Sequence, residues 1–149
     1  MIKVQSDDFS LEKETKKILN KNSNIGALSS FIGIVRNKAK EKDLISMTLD
    51  HYPGMTEKML KKIEDEALLR WDLLDTLIIH RYGELYPGNN IVLVITVSKH
   101  RKDAIDSCHF LIDWLKTKGP FWKFEKTKNS GHWVEALESD NIEEKKWQN

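Results

Sequence analysis

Residues 90–98 read NIVLVITVS and contain the longest apolar run of the chain, IVLVITV at 91–97. A short run rich in β-branched residues is typical of a strand that is buried on both faces. The apolar segment before it, TLIIHRY at 76–82, is joined to it through Gly83 and the turn YPG at 86–88. We therefore expect these two segments to form an antiparallel pair, with the second strand at the centre of a sheet.

Two amphipathic segments predict the main helices, because their apolar residues recur with the 3.6-residue period. Residues 101–118 form one, ended by the Gly-Pro pair at 119–120, and residues 55–71 form the other. Ser10 ahead of LEKETKKILN predicts a third, short capped helix near the N-terminus. The apolar faces comprise Ala104, Ile105, Cys108, Leu111, Ile112 and Leu115 in the first helix and Met55, Met59, Leu60, Ile63, Ala67 and Trp71 in the second.

Further strands are predicted where small, β-branched or alternating apolar residues recur. They cover residues 26–36, 45–50, 121–125 and 132–135, and residues 37–43 are expected to be a polar loop. Helices packed on a mostly antiparallel sheet predict an α+β fold.

The chain has 149 residues, which suits one domain. We expect that domain at residues 1–136, followed by a polar tail at 137–149 that forms a surface or disordered end, from which Trp147 could dock on a partner. With 24 Lys and Arg against 23 Asp and Glu, the net charge of +1 draws the chain neither to nucleic acid nor to a membrane surface. No membrane span or signal peptide is predicted, so we expect a cytoplasmic protein.

Cys108 is the single cysteine, which excludes an internal disulfide and every multi-cysteine zinc or iron-sulfur site. It lies on an apolar helix face and is predicted to be a core residue. His51, His80, His109 and His132 are scattered without the spacing of metal ligands, and no nucleotide-binding motif occurs. The sequence thus predicts neither a metal nor a cofactor.

The first candidate site is Lys99-His100-Arg101, at the junction between the buried strand and the following helix. Free backbone N–H groups and the helix dipole favour an anion there, and imidazole and guanidinium groups add donors suited to phosphate. The alternative, equally open from position alone, is that His100 helps to cap the helix and Arg101 is solvated. Arg36, at a strand end, could also grip a carboxylate or phosphate, although a surface role is as consistent with its position.

The second candidate is KTKGPFWKFEKTK at 116–128, where lysines alternate with aromatic residues. Rings and ammonium groups together suit a flat, anionic ring system, and a half-buried lysine can transfer protons. Periodicity does not choose between Lys116 and Lys118, because both flank the apolar face. A solvated lysine patch and a stacking platform for single-stranded nucleic acid or another partner are the alternatives.

His100 and Lys116 bracket one helix, so they lie about 24 Å apart within a chain at 1.5 Å per residue. One small pocket cannot hold both residues. If both serve a single site, the site is shared between two chains, which predicts a symmetric homodimer with two equivalent composite pockets.

Several segments together resemble the large, catalytic subunit of molybdopterin synthase. They occur in order through the chain and read GALSSFIGIVRN (26–37), DHYPGMTEK (50–58), IIHRYGELYPG (78–88), VSKHRKDA (97–104), LKTKGPFWKFE (115–125) and HWVEA (132–136). The resemblance implies an α/β hammerhead-like fold and a sulfurtransferase that converts cyclic pyranopterin monophosphate (precursor Z) into molybdopterin. It also implies a small ubiquitin-like partner that ends in a Gly-Gly thiocarboxylate and supplies the two dithiolene sulfurs. Two large subunits would form the centre of a heterotetramer.

The resemblance also assigns residues. It implies that Lys116 and Lys123 are catalytic, and so favours Lys116 over Lys118. The expected substrate-binding residues are these two lysines together with Ile34, Val35, Arg36, Phe124, Glu125 and, from the other chain, His100 and Arg101. Phe124 and Leu137 stand where the family often has basic residues, so anion contacts are not expected at these two positions.

Overall fold

The computed structural model of the chain describes residues 1–135 and 138–148. The predicted domain boundary at residue 136 and the position of Leu137 lie outside the described residues. The elements are, in order, β1 (Ile2–Gln5), α1 (Leu11–Lys21), β2 (Ala27–Ile34), β3 (Lys38–Ala39), β4 (Lys42–His51), α2 (Met55–Arg70), β5 (Leu73–Arg81), β6 (Gly83–Leu85), β7 (Asn90–Ser98), α3 (Arg101–Thr117), β8 (Phe121–Thr127), β9 (Gly131–Trp133) and α4 (Glu138–Lys145).

The first sheet has the strand order β1-β5-β7-β2, and β7 is buried along nearly its whole length. The strand β7 pairs antiparallel with β5, as the sequence predicts, and on its other side it pairs antiparallel with β2. The edge strand β1 pairs parallel with β5 and was not predicted, because its four residues, IKVQ, are too few to show a period.

The second sheet has the order β3-β4-β8-β9, and β6 also pairs with β4. Residues 37–43, predicted to be a polar loop, contain a tight β3–β4 hairpin instead. Its two turn residues, Lys40 and Glu41, both have positive φ angles (47° and 67°), which suits the twist of a two-residue hairpin. Neither residue is Asn or Gly, the residue types from which such a turn is predicted in a sequence.

The helices α2 and α3 bury apolar faces in one core with β4, β5 and β7, and α1 covers a smaller cluster on the other side of the first sheet. Cys108 is buried in the main core, as predicted. Met55 and Ile105 are more than half exposed, because Met55 begins its helix and Ile105 lies at the edge of the apolar stripe.

The C-terminal segment folds back on its own chain, where the sequence predicts a surface or disordered end. The helix α4 packs on α3, and the Trp147 ring lies 5.7 Å from the rings of both Trp71 and Phe110. Trp147 is thus half-buried within the chain. The described part of the chain contains four helices, and α+β with mostly antiparallel strands is confirmed as the fold class. Of these helices, none is both long and apolar enough to span a bilayer.

Candidate active site

A small apolar pocket lies where the last turn of α3 meets β8 and the first sheet. It carries polar groups from His80, Lys116 and Lys123. The apolar part of its lining comes from β2, β7 and α3 and comprises Phe31, Gly33, Ile34, Ile91, Val92, Ile112 and Leu115. Charged groups inside an apolar wall interact more strongly than they do in water, which makes this pocket the candidate for chemistry.

The position of Lys123 follows from the alternation of side chains along β8. Phe121, Lys123 and Glu125 lie on the same face of the strand, and Lys123 lines the pocket. Glu125 lies two residues further along, opposite Met47 of β4, and is not among the pocket-lining residues.

Phe124 points to the opposite face of β8. Its ring meets that of Trp133 edge-on at 5.2 Å, and a Cβ added to Gly131 would lie 2.4 Å from its Cζ. The ring of Phe121 also packs within the chain, because it stacks on that of His80. Of the three aromatic residues in this segment, Trp122 is 55% exposed and shares the face of β8 that carries Phe124, away from the pocket.

The two lysines that periodicity cannot separate have different environments. Lys116 lines the pocket from the last turn of α3. Lys118 is the C-cap of the same helix, and its Nζ lies 2.8 Å from a carboxylate oxygen of Glu144 in α4. The geometry therefore agrees with the preference for Lys116 that the family resemblance implies.

His80 is a pocket residue that the sequence analysis did not select. Its side chain is 4% exposed, and Nδ1 lies 2.9 Å from the carbonyl oxygen of Arg81. Burial lowers the pKa of His80 to about 3, and the charge of Lys123 contributes to the lowering. The available signal was a titratable residue in the middle of the apolar strand TLIIHRY.

Ile34 lines the pocket at the end of β2, and Val35 and Arg36 follow it. Val35 is buried, its N–H donates to the Asn89 carbonyl and its own carbonyl accepts from the Gly88 N–H. Arg36 is exposed one residue further on. The turn before β7 therefore holds the backbone of Val35, the residue between the pocket and Arg36.

His100 and Arg101 lie at the far end of α3 from Lys116. In the β2–β7 pair, Ala27 is opposite Ser98, next to His100, whereas Ile34 at the pocket is opposite Asn90. Within one chain, His100 and Arg101 therefore do not reach the pocket that Lys116 lines. Both residues are exposed, and His100 is the N-cap residue of α3 without a side-chain capping bond.

A cluster of possible metal ligands lies between α3 and the C-terminal segment. Ligand atoms of His109, Asp113 and Glu143 lie within 4.8 Å of one another. The Nζ of Lys146 lies 2.9 Å from Glu143 and 3.2 Å from Nε2 of His109, so an ammonium group already supplies positive charge there. The cluster serves to hold the C-terminal segment against α3.

Comparison with known proteins identifies the family. The family model described as "MoaE protein" matches residues 4–118, which is most of the chain. The chain belongs to the MoaE family. Its relatives include a molybdopterin synthase catalytic subunit of Ralstonia nicotianae, 45% identical over 98% of this chain and 83% of the relative. The one from Escherichia coli strain K12 is 44% identical over 98% of this chain and 97% of the relative.

Solved structures of the family superpose on the chain. The MoaE protein of Burkholderia ambifaria has a TM-score of 0.84 at 45% identity and covers 99% of this chain and 97% of its own. Molybdopterin synthase from Staphylococcus aureus has a TM-score of 0.82 at 30% identity, covering 89% and 95%. The family and the fold class that the sequence predicts are therefore confirmed.

Within this family fold, the matching motifs collect at the two ends of α3. GIVR ends β2, LKT ends α3 and PFWK begins β8, all beside the pocket, whereas KHR begins α3 at the opposite end. Lys123 lies beyond residues 4–118 but inside the nearly full-length alignments with the relatives.

Proposed function

We propose that the chain is the catalytic subunit of a molybdopterin synthase and converts cyclic pyranopterin monophosphate into molybdopterin. The chain is an enzyme subunit of molybdopterin synthesis, as its relatives at 44–45% identity are named. The sulfur donor is the thiocarboxylate of a small ubiquitin-like partner, and the reaction takes place in the cytoplasm. A Helicobacter pylori structure with the same fold, at 21% identity, was solved as a complex of subunits 1 and 2 of molybdopterin-converting factor.

The observation that carries this proposal is the meeting of Lys116 and Lys123 in one apolar pocket. The thiocarboxylate and the phosphorylated substrate are both anionic, so two ammonium groups reduce the repulsion between them in the pocket. As the thiocarboxylate sulfur attacks a side-chain carbon of the pterin, a carbon–sulfur bond forms and a carbon–oxygen bond at that carbon breaks, which gives a thioester. The same ammonium groups stabilise the developing charge and protonate the departing oxygen. Water then hydrolyses the thioester, which leaves the sulfur on the pterin and returns the terminal carboxylate of the small subunit, while the apolar walls limit other access of water to the site.

The phosphate is held by groups from both chains of a homodimer. Arg36 follows the pocket strand, whereas His100 and Arg101 lie at the other end of α3 and reach the site from the second chain. Their exposure supports this arrangement, since their side chains are available to a partner. Phe124 and Glu125, which the family resemblance adds, follow Lys123 on β8, and neither lines the pocket of this chain.

The experiment that tests the proposal is single-turnover formation of the dithiolene. The purified chain is mixed with a thiocarboxylated small subunit and the cyclic pyranopterin, and product is measured by chromatography. We expect product from the wild type and from Lys118→Ala, whose side chain contacts α4, and a fall of about 10²-fold or more for Lys116→Ala. A stable complex that gives no product with any of these proteins would contradict the proposal.

Shared sites allow a separate test of the homodimer. Arg101→Ala and Lys116→Ala chains, each inactive alone, are co-expressed with different tags. Half of the dimers are then mixed, and each mixed dimer has one pocket with both native halves, so activity returns to about a quarter of the wild-type value. No recovery in purified mixed dimers would show that His100 and Arg101 serve another purpose.

A further inference from the structure

His80 lines the pocket and forms one end of a column of aromatic rings. Its ring is parallel to that of Phe121, with the centroids 3.5 Å apart and an angle of 10° between the planes. On the other side, Phe121 lies 5.9 Å from the ring of His51, which in turn lies 4.7 Å from that of Tyr82. Rings stacked so closely fix the plane of the imidazole, so its nitrogen atoms point in set directions.

The hydrogen bond at Nδ1 fixes the tautomer. A backbone carbonyl only accepts, so the 2.9 Å contact with Arg81 requires that Nδ1 carries the proton. The other nitrogen, Nε2, then presents a lone pair as long as the ring is neutral. His80 therefore contributes an acceptor to a pocket whose other polar residues are donors.

The ring stays neutral in the conditions of catalysis. The charged or titratable groups around it are Lys123 on β8, His51 on β4 and Lys116 on α3. Burial is the largest cause that lowers the pKa of His80, the three groups add to it and the bond to Arg81 opposes it, which together give a pKa of about 3. His80 therefore does not act as an acid near neutral pH.

Lys123 is the lysine placed to use this acceptor. It lies two residues after Phe121 on the same face of β8, so its side chain runs beside the ring that stacks on His80. It lines the same pocket as His80. Its charge acts on His80 more strongly than that of Lys116 does.

We propose that His80 is a positioning residue whose Nε2 accepts an N–H from the Lys123 ammonium and aims the remaining N–H groups at the substrate anion. A neutral acceptor suits this task, because it orients the ammonium without cancelling its charge as a carboxylate would. The role of His80 in catalysis rests on the proposed function. The hydrogen bond itself does not, and it is measured separately.

The hydrogen bond is tested by two-bond ¹H–¹⁵N NMR of the full-length protein, without substrate. We expect His80 to be protonated at Nδ1 alone from pH 5 to 8. Replacing the donor in Lys123→Met should move the Nε2 resonance toward that of a free lone pair. Lys126→Met, on the exposed face of the same strand, should leave it in place. A proton on Nε2, or an unchanged resonance in Lys123→Met, would overturn the proposal.

The catalytic role is tested by comparing His80→Gln with His80→Asn in the dithiolene assay. A glutamine amide reaches the position of Nε2, whereas an asparagine amide reaches only that of Nδ1 and keeps the bond to Arg81. We expect His80→Asn to lower kcat by about tenfold or more with KM within about twofold, and His80→Gln to restore most of the loss. Equal losses in the two variants at equal thermal stability would contradict positioning through Nε2. A wild type that makes no product would contradict the proposed function, and the NMR result would still decide the hydrogen bond.

Discussion

The indole N–H of Trp147 donates a hydrogen bond of 2.6 Å to the Asp113 carboxylate, and this bond ties the C-terminal segment to α3. Asp113 lies one turn before Thr117 at the pocket end of the helix, and Thr117 donates to its backbone carbonyl. The tail therefore braces the part of α3 that carries Lys116.

The Trp147 bond predicts a measurable loss of stability. Trp147→Phe keeps most of the ring packing but removes the donor from a buried carboxylate, so the free energy of unfolding should fall by about 1–2 kcal/mol. Urea denaturation followed by circular dichroism checks this value. Gln148→Ala, an exposed neighbour, is the control, and equal midpoints for the two variants would contradict the bracing role.

Glu64 predicts a loss of stability in acid. Burial raises the pKa of this carboxyl group, but the N-terminal ammonium, the Thr76 hydroxyl and Lys61 outweigh burial and hold it below the ordinary 4.5. A carboxyl pKa that is lower in the folded chain stabilises the fold at every pH above the ordinary carboxyl pKa. That stability is lost as the pH falls through the folded-state pKa.

Thermal unfolding from pH 7 to pH 3 measures the Glu64 effect. Glu64→Gln should be less stable than the wild type at pH 7 and should lose less stability below about pH 4.5. Glu66→Gln, which removes a surface pair with Arg70, is the control and should retain the wild-type slope. A wild-type slope in Glu64→Gln would show that this carboxyl group is not the cause.

His80 predicts a second pH effect in a higher range. The unfolded chain takes up a proton below the ordinary histidine pKa of 6.5, whereas the folded ring does so only near 3. The free energy of unfolding should therefore fall as the pH drops below 6.5, by up to about 1.4 kcal/mol per pH unit. Between pH 7 and pH 5 the slope should be smaller in His80→Gln and unchanged in His132→Gln. A wild-type dependence of the unfolding free energy on pH in His80→Gln would contradict this prediction.

Gly26 predicts a packing defect beside the phosphate-binding candidates. A Cβ at this position would lie 2.1 Å from the carbonyl oxygen of Lys99, the residue before His100. Gly26→Ala must displace backbone, so we expect a loss of about 1–3 kcal/mol in unfolding free energy. Ser30→Ala, at an exposed position of β2, the strand that follows Gly26, should cost far less. Calorimetry of the two variants makes the comparison.

The parts of the fold that sequence patterns predicted are those whose burial is determined locally. The strand β7 is apolar at successive positions because α3 packs on one of its faces and α1 on the other. The helices α2 and α3 show their period because each buries one face in the core. The strand β1 and the helix α4 lack such a pattern. They are held by contacts with residues remote in the chain, such as Asp113 with Trp147.

The candidate site was accessible to sequence reasoning only in part. Motif resemblance selected Lys116, but the physical difference from Lys118 is the ion pair of Lys118 with Glu144, which depends on α4. His80 was missed because its significance arises from Phe121, a residue on another sheet. Alternation along β8 could have separated Lys123 from Phe124, since neighbouring residues of a strand face opposite ways.

The 17 residues of α3 have a consequence for how such chains can change in evolution. One residue inserted into the helix would rotate Lys116 by about 100° relative to Arg101 and lengthen the span by about 1.5 Å. In the proposed homodimer, such a change would misalign the two residues that one chain supplies to different pockets, even if every motif were intact. Selection should therefore tolerate substitutions on the exposed face of α3 and reject insertions and deletions within it.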